Sequence, residues 1–194
     1  SKKNIGVTEF LANKCKLKKN YEVMMIYNKK MSVVPITTHI NIKKVSSNIS
    51  KSIIVNKIKM IKFWYNKNLK KNPKIAVLGL NPHNGEMRHN SEETKIIIPA
   101  IQKLRKLSVN VDGPLVADTI FVNNFKNYDV VVGMYHDQVL APFKTLFKFD
   151  AINITLGLKY LRMSPDHGTA INLIGKNKAD FSSLLACINF IKKF

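Results

Sequence analysis

The chain has 194 residues, 45% of them hydrophobic, and a formal charge of +20, which excludes a disordered polymer and leaves room for one sizeable core or two small ones. Its lysines and arginines are scattered over nearly every segment among abundant Asn and Ile, so the charge reads as a solvated surface; a basic nucleic-acid-binding module, which needs its cations on one face, is the alternative. No apolar run reaches the ~20 residues of a membrane span and no signal peptide is visible, while Cys15 and Cys187 form no CxxC pattern, so a cytoplasmic protein with reduced thiols is expected.

The chain opens on Ser1 rather than Met, as a processed start or the cut edge of something longer does. Residues 8–14 (TEFLANK) suit a short helix with Thr8 as N-cap. Residues 21–27 (YEVMMIY) and 32–37 (SVVPIT) read as strands joined by a turn at Asn28, Lys29 and Lys30. Pro35, which cannot donate to a ladder, puts the second at a sheet edge or a strand end. From 50 to 65, Ile54, Ile58, Ile61 and Tyr65 recur at helical spacing with the lysines elsewhere on the wheel, and Trp64 belongs to the core.

Residues 75–80 are nearly all apolar, the signature of a strand covered on both faces in a parallel sheet. Ligands collect beyond the carboxyl ends of such strands, and here that end carries Asn81, Pro82, His83, Glu86 and His89. Asn90 and Glu93 form a capping-box pattern opening the next helix, whose stripe is Ile97, Ile101 and Leu104 and whose Pro99 predicts a kink. Asp112, Gly113 and Pro114 suit a turn, followed by a run ending at Asp118. A second buried strand at 129–135 ends at His136, Asp137 and Gln138, and a third, AINITLGL, carries Asn153 and Thr155 ahead of Arg162 and the loop SPDHG with Asp166 and His167. Asp180 caps a last helix with Phe181, Leu184, Leu185, Ile188 and Ile191 as its apolar face. Strands alternating with helices over the last two thirds imply a layered α/β domain.

His39, His83 and His136 each stand where a strand leaves the sheet. Any one of them suits a surface or capping role; three together suit an open-coordination metal centre, because neutral imidazole is a common ligand for Zn²⁺ and similar ions.

The segments GVTEFLA, TTHI, GLNPHNGE, EETKIIIPAIQKLR, GPLVADTIF, MYHDQ, NITLGL, DHGTA and GKNKAD occur in order over almost the whole chain. Together they resemble the 4-hydroxythreonine-4-phosphate dehydrogenase family of pyridoxal phosphate (vitamin B6) biosynthesis. The resemblance implies a three-layer α/β/α fold like that of isocitrate and isopropylmalate dehydrogenases. Residues 1–194 would be the C-terminal portion, one α/β domain plus part of a second, lacking much of the N-terminal domain. It implies NAD and a divalent metal (Zn, Mg or Co) as cofactors, and a homodimer whose interface holds the metal on His39, His83 and His136 drawn from both subunits. It implies substrate contacts at Thr8, Lys144, Asn153 and Arg162. Lys144 and Arg162 suit an anionic substrate, the one as a point charge and the other as a fork. Asp118 and Asp137 suit orienting a metal-bound imidazole or accepting a proton, and His89 and His167 are expected in structural or cleft-lining places rather than as ligands. The expected reaction is oxidation and decarboxylation of 4-phosphohydroxythreonine to 3-amino-2-oxopropyl phosphate. The alternatives are a related dehydrogenase acting on another phosphorylated hydroxy acid and a non-catalytic fragment or scaffold subunit.

Three departures stand against the family pattern. Val7 occupies the place of a substrate-contacting His; Met87 and Arg88 replace two glycines of the loop Gly-Glu-Gly-Gly-His; and a family N-terminal portion of more than about a hundred residues is not represented. Weak or no activity of this chain alone is therefore expected, as is a separately encoded N-terminal piece as a possible partner.

Overall fold

The computed structural model describes residues 7–17, 21–168 and 171–192. In chain order the regular elements are α1 (Val7–Lys14), β1 (Val23–Tyr27), β2 (Ser32–Pro35), α2 (Val45–Asn48), α3 (Lys51–Trp64), β3 (Ile75–Leu78), α4 (Ile98–Lys106), β4 (Val111–Leu115), α5 (Ala117–Thr119), β5 (Val130–Gly133), α6 (His136–Phe147), β6 (Ile152–Leu156), β7 (Arg162–Pro165) and α7 (Ser182–Ile191).

All seven strands join one sheet in the order β4-β3-β5-β2-β1-β6-β7. The pairings β4·β3, β3·β5 and β5·β2 are parallel, whereas β1 runs against both β2 and β6, and β7 against β6. The two central strands β3 and β5 are buried at every position, which is why their sequences IAVL and VVVG show no polar alternation. Five strands, β2 to β6, thus run the same way, and the four that pair in parallel, β4-β3-β5-β2, end side by side on one edge of the sheet.

Helices cover both faces, as a three-layer α/β/α arrangement requires. On one face Ile54, Ile58 and Ile61 of α3, Ile101 and Leu104 of α4, and Cys187 and Phe190 of α7 pack over Val77, Val132 and Ile154. On the other, Val139, Leu140 and Phe143 of α6 pack over Ile26, Val33, Leu78 and Val131. Ser50 caps α3 by accepting from the Ile53 N–H at 3.3 Å, and Asn28 to Lys30 make the expected turn between β1 and β2.

Of the two places open to Pro35, it takes the strand end, as the last residue of β2, and the strand itself lies inside the sheet. Several elements differ from the expectation. Asp112, Gly113 and Pro114 lie inside β4, where the ladder to β3 shifts register. Gly113 takes a φ of 145° with Val77 so close that a Cβ would collide with its carbonyl oxygen, so the turn-like composition marks an irregular strand. Ser164 and Pro165, the start of the expected loop SPDHG, belong to the edge strand β7, and Asp166 and His167 follow it. Ahead of α4 the helix widens to a π-turn over Glu93–Ile97, which places Pro99 in the first turn of α4, where its missing N–H costs nothing.

The last helix turns out differently from its periodicity. Asp180 does accept from the Ser182 N–H, at 2.8 Å, but Phe181, Leu184, Leu185, Ile188 and Ile191 are all exposed, and the packed face is Ser183, Cys187 and Phe190. Replacing the fully buried Phe143 by Ala is predicted to lower stability by about 3–5 kcal/mol, and Leu184→Ala, at a half-exposed position, to change it by less than about 0.5 kcal/mol. Urea denaturation of the two variants checks this, and equal losses would contradict the outward placement of α7.

Candidate functional site

The edge where β2, β3 and β5 end is cross-linked residue by residue. Beyond β2, Ile36 donates its N–H to Gly133 O at 2.8 Å, and Thr37 donates its hydroxyl to Met134 O at 2.7 Å. Gln138 then spans the next gap: its Oε1 accepts from Met134 N at 2.6 Å and its Nε2 donates to Gly79 O at 2.7 Å. Backbone groups left unpaired where the ladders stop are satisfied this way, and the three strand ends become one rigid rim.

That rim brings His39 and His136 together, with ring centroids 5.4 Å apart. His39 is exposed in the turn after β2, and His136 is half-buried at the first position of α6. The Nδ1 of His136 lies 2.7 Å from Asp137 Oδ1. With the proton on Nδ1 donated to that carboxylate, Nε2 keeps a lone pair facing away from Asp137, the usual arrangement of a metal-binding histidine.

His83 sits in a different setting. After β3 the backbone runs left-handed through His83 (φ 49°), Asn84 (57°), Gly85 (59°), Glu86 (50°) and Met87 (54°). Each non-glycine residue held there costs about 1–2 kcal/mol, and less for Asn. Of the two non-glycine replacements noted in this loop, only Met87 carries that strain, because Arg88 has returned to φ −57°. Asn84, 4% exposed, donates its Nδ2 to Pro114 O at 3.1 Å, and its Oδ1 lies against Gly79 where no side chain fits. Among the described residues no group of three or more His, Cys, Asp or Glu side chains is placed to hold a metal ion. One chain therefore pairs His39 with His136 and leaves His83 outside that pair.

The capping box at Asn90 and Glu93 is a correction. Ser91 caps this turn, accepting from the Thr94 N–H at 3.3 Å. Glu93, fully buried, points instead to the His83 loop: its Oε1 accepts from the N–H groups of Leu80 and Asn81, each at 2.8 Å, and its Oε2 from Asn81 Nδ2 at 3.0 Å. Burial alone would raise its pKa, but the donors of Asn81 and Leu80 together hold it below the ordinary carboxylate value.

A second polar group lies on the α6 side of the sheet. Asn153 and Thr155 alternate with Ile152, Ile154 and Leu156, which face the α3 side. Arg162 of β7 donates to Thr155 Oγ1 at 3.3 Å. Lys144 of α6 donates to Asp166 O at 2.6 Å and meets its Oδ2 at 3.0 Å. Asp166, 7% exposed, is anchored by its own N–H to Ser183 Oγ at 2.8 Å. Burial pushes its pKa up, with Lys144 first and then His167 and His136 pulling it back. The Oδ1 of Asn153 is buried and finds no hydrogen-bond partner among the described residues. Of the other expected contacts, Asp118 is exposed in α5, which packs beside the His83 loop; Thr8 belongs to α1, and its side chain lies outside the described residues.

The roles of Glu93, Gln138 and Asp166 escape sequence reading because each has its partners far along the chain, backbone groups for Glu93 and Gln138 and the Lys144 and Ser183 side chains for Asp166. Their only sequence signals are an acidic doublet before an apolar helix, a Gln two residues after a strand-end His, and an Asp beside His167. Two cavities, of about 320 and 130 Å³, are lined by residues of α7 and β6 and of α3 and the turn after β6; neither lining includes the three histidines.

Residues 2–191 match the family model described as pyridoxal phosphate biosynthetic protein PdxA. The 4-hydroxythreonine-4-phosphate dehydrogenase of Aquifex aeolicus is 46% identical over 188 residues, 96% of this chain and 58% of the relative. The counterpart from Sulfurihydrogenibium is 44% identical, over 94% and 56%. Among solved structures, 4-hydroxythreonine-4-phosphate dehydrogenase from Klebsiella pneumoniae superposes with a TM-score of 0.82 at 35% identity, over 96% of this chain and 57% of that one. The chain thus spans somewhat more than half the length of the curated relatives it matches. With the family model matching residues 2–191 and relatives named 4-hydroxythreonine-4-phosphate dehydrogenase, the chain belongs to the PdxA family of pyridoxal phosphate biosynthetic proteins.

Proposed function

We propose that this chain supplies the metal-binding rim and one substrate wall of an NAD-dependent dehydrogenase that oxidises and decarboxylates 4-phosphohydroxythreonine to 3-amino-2-oxopropyl phosphate. The observation that carries the reading is the pairing of His39 with His136 at adjacent parallel strand ends, with Asp137 on the Nδ1 of His136. This donor set fits a divalent cation in part: two imidazoles converge, and a third ligand has to come from elsewhere. His83 of a second copy is the proposed source, which makes the working unit a homodimer.

A bound Zn, Mg or Co ion would supply Lewis acidity toward a substrate hydroxyl. The nicotinamide cofactor enters through the family likeness alone, and neither cavity carries the site's histidines. The chain's own residues do the rest. Asp137 holds the His136 ring in one tautomer and orientation. Lys144, fixed by Asp166, and Arg162, fixed by Thr155, present cations for the phosphate and the carboxylate. Asn153 offers an amide on the same face of β6 as Thr155, and Asp118 or Asp137 takes the hydroxyl proton. Thr8 completes the proposed substrate contacts.

Equilibrium dialysis of the purified protein against Co²⁺ tests the metal reading. The expected result is bound metal in the wild type and its loss in His39→Ala, His136→Ala and His83→Ala; unchanged content in the three variants would reject the site. A second prediction concerns Asp166. Its folded pKa is raised above the ordinary 3.8, so its stabilising contribution is complete below that value and is lost as the pH rises through the folded value. Urea midpoints of Asp166→Asn and wild type are therefore expected to diverge in favour of the variant as the pH rises above about 4, and a gap that closes over that range would contradict the raised value.

A further inference from the structure

We propose that Glu93, tied through Asn81 to Glu92, is the positioning residue for His83: the carboxylate pair holds the left-handed loop and sets where its imidazole stands relative to the His39 turn.

The geometry is specific. A loop that leaves a parallel strand into left-handed backbone has few ladder bonds to hold it, and in this one, once Gly79 has donated to Leu115 O, the next two amides, at Leu80 and Asn81, both end on Glu93 Oε1. The Asn81 side chain then reaches both carboxylates, with Nδ2 at 3.0 Å from Glu93 Oε2 and 2.8 Å from Glu92 Oε2. Glu92 in turn accepts from the hydroxyl of Ser46, in α2, the helix that follows the His39 turn. A continuous chain of hydrogen bonds therefore runs from α2 through Glu92, Asn81 and Glu93 to the backbone entering His83. Gly85 closes the loop over the same carboxylate, for a Cβ there would sit 2.9 Å from Glu93 Oε2 and 3.0 Å from Ser91 Cβ. Only a carboxylate satisfies this set, because every group facing it is a donor; an amide at 93 keeps one acceptor and turns an NH₂ toward Asn81 Nδ2.

The consequence for metal binding rests on the reading of His83 as a ligand, whereas the geometric claim does not, and the experiment separates them. The Cε1–H signals of the histidines are assigned in the metal-free full chain for wild type, Glu93→Gln and Gly85→Ala, and each protein is then titrated with Co²⁺. Glu93→Gln is expected to move the His83 signal while leaving His39 and His136 in place, and to weaken Co²⁺ binding by about tenfold or more, the scale of losing a ligand's supporting contact. Gly85→Ala leaves the carboxylate intact and displaces the loop from it, so it is expected to move the same signal; it also serves as the test if Glu93→Gln does not fold. A His83 signal unmoved in the variants that fold overturns the proposal. A moved signal in proteins that bind no Co²⁺ upholds the positioning and removes the metal reading instead.

Discussion

The parallel pairing of β5 with β2 on one side and β3 on the other is the constraint on which the site depends. Val130 to Val132 bond to both neighbours, and all three strands run in the same direction. Their ends must then fall on one edge, and whatever follows them in sequence is delivered there. Because β3 and β5 are buried from both faces, a register slip would drag the strand ends apart and expose apolar positions at once. The polar rim is thus positioned by the hydrophobic core beneath it.

The rim adds what the ladders cannot. Parallel strands stop abruptly, and the amides and carbonyls just past their ends need partners. Thr37, Gln138 and Glu93 each supply one, and each joins a loop bearing a histidine to the strand or loop next to it. The left-handed turn at His83 shows why such anchoring matters: backbone strained at several successive residues persists only where the surroundings over-determine it. Met87 adds strain at a place where the family resemblance implies glycine, and the buried Glu93 holds the start of the same loop at Leu80 and Asn81.

Much of this was legible in the residues. The unalternating runs that became β3 and β5 could only be doubly covered strands, and the position of a histidine after each followed directly. The hairpin between β1 and β2 was legible for the same local reasons. What stayed hidden is non-local. The Asp112-Gly113-Pro114 segment has the composition of a turn, and only its closeness to Val77 makes it an irregular strand. The apolar stripe of α7 was visible, but periodicity says nothing about which residues find a partner, and here Cys187 and Phe190 do. Glu93 had the spacing of a cap, and its real partners lie in a loop a dozen positions away. The family resemblance, by contrast, was carried by short motifs, and these sit mostly at the strand ends where the chemistry collects.

In the proposed site His39 and His136 of one chain and His83 of another meet on a single cation. X-ray absorption on the zinc-loaded protein tests it most directly, since imidazole nitrogens at about 2.0–2.1 Å leave a characteristic multiple-scattering pattern. A first shell containing three imidazoles is the expected result. A shell with one imidazole or none would contradict it.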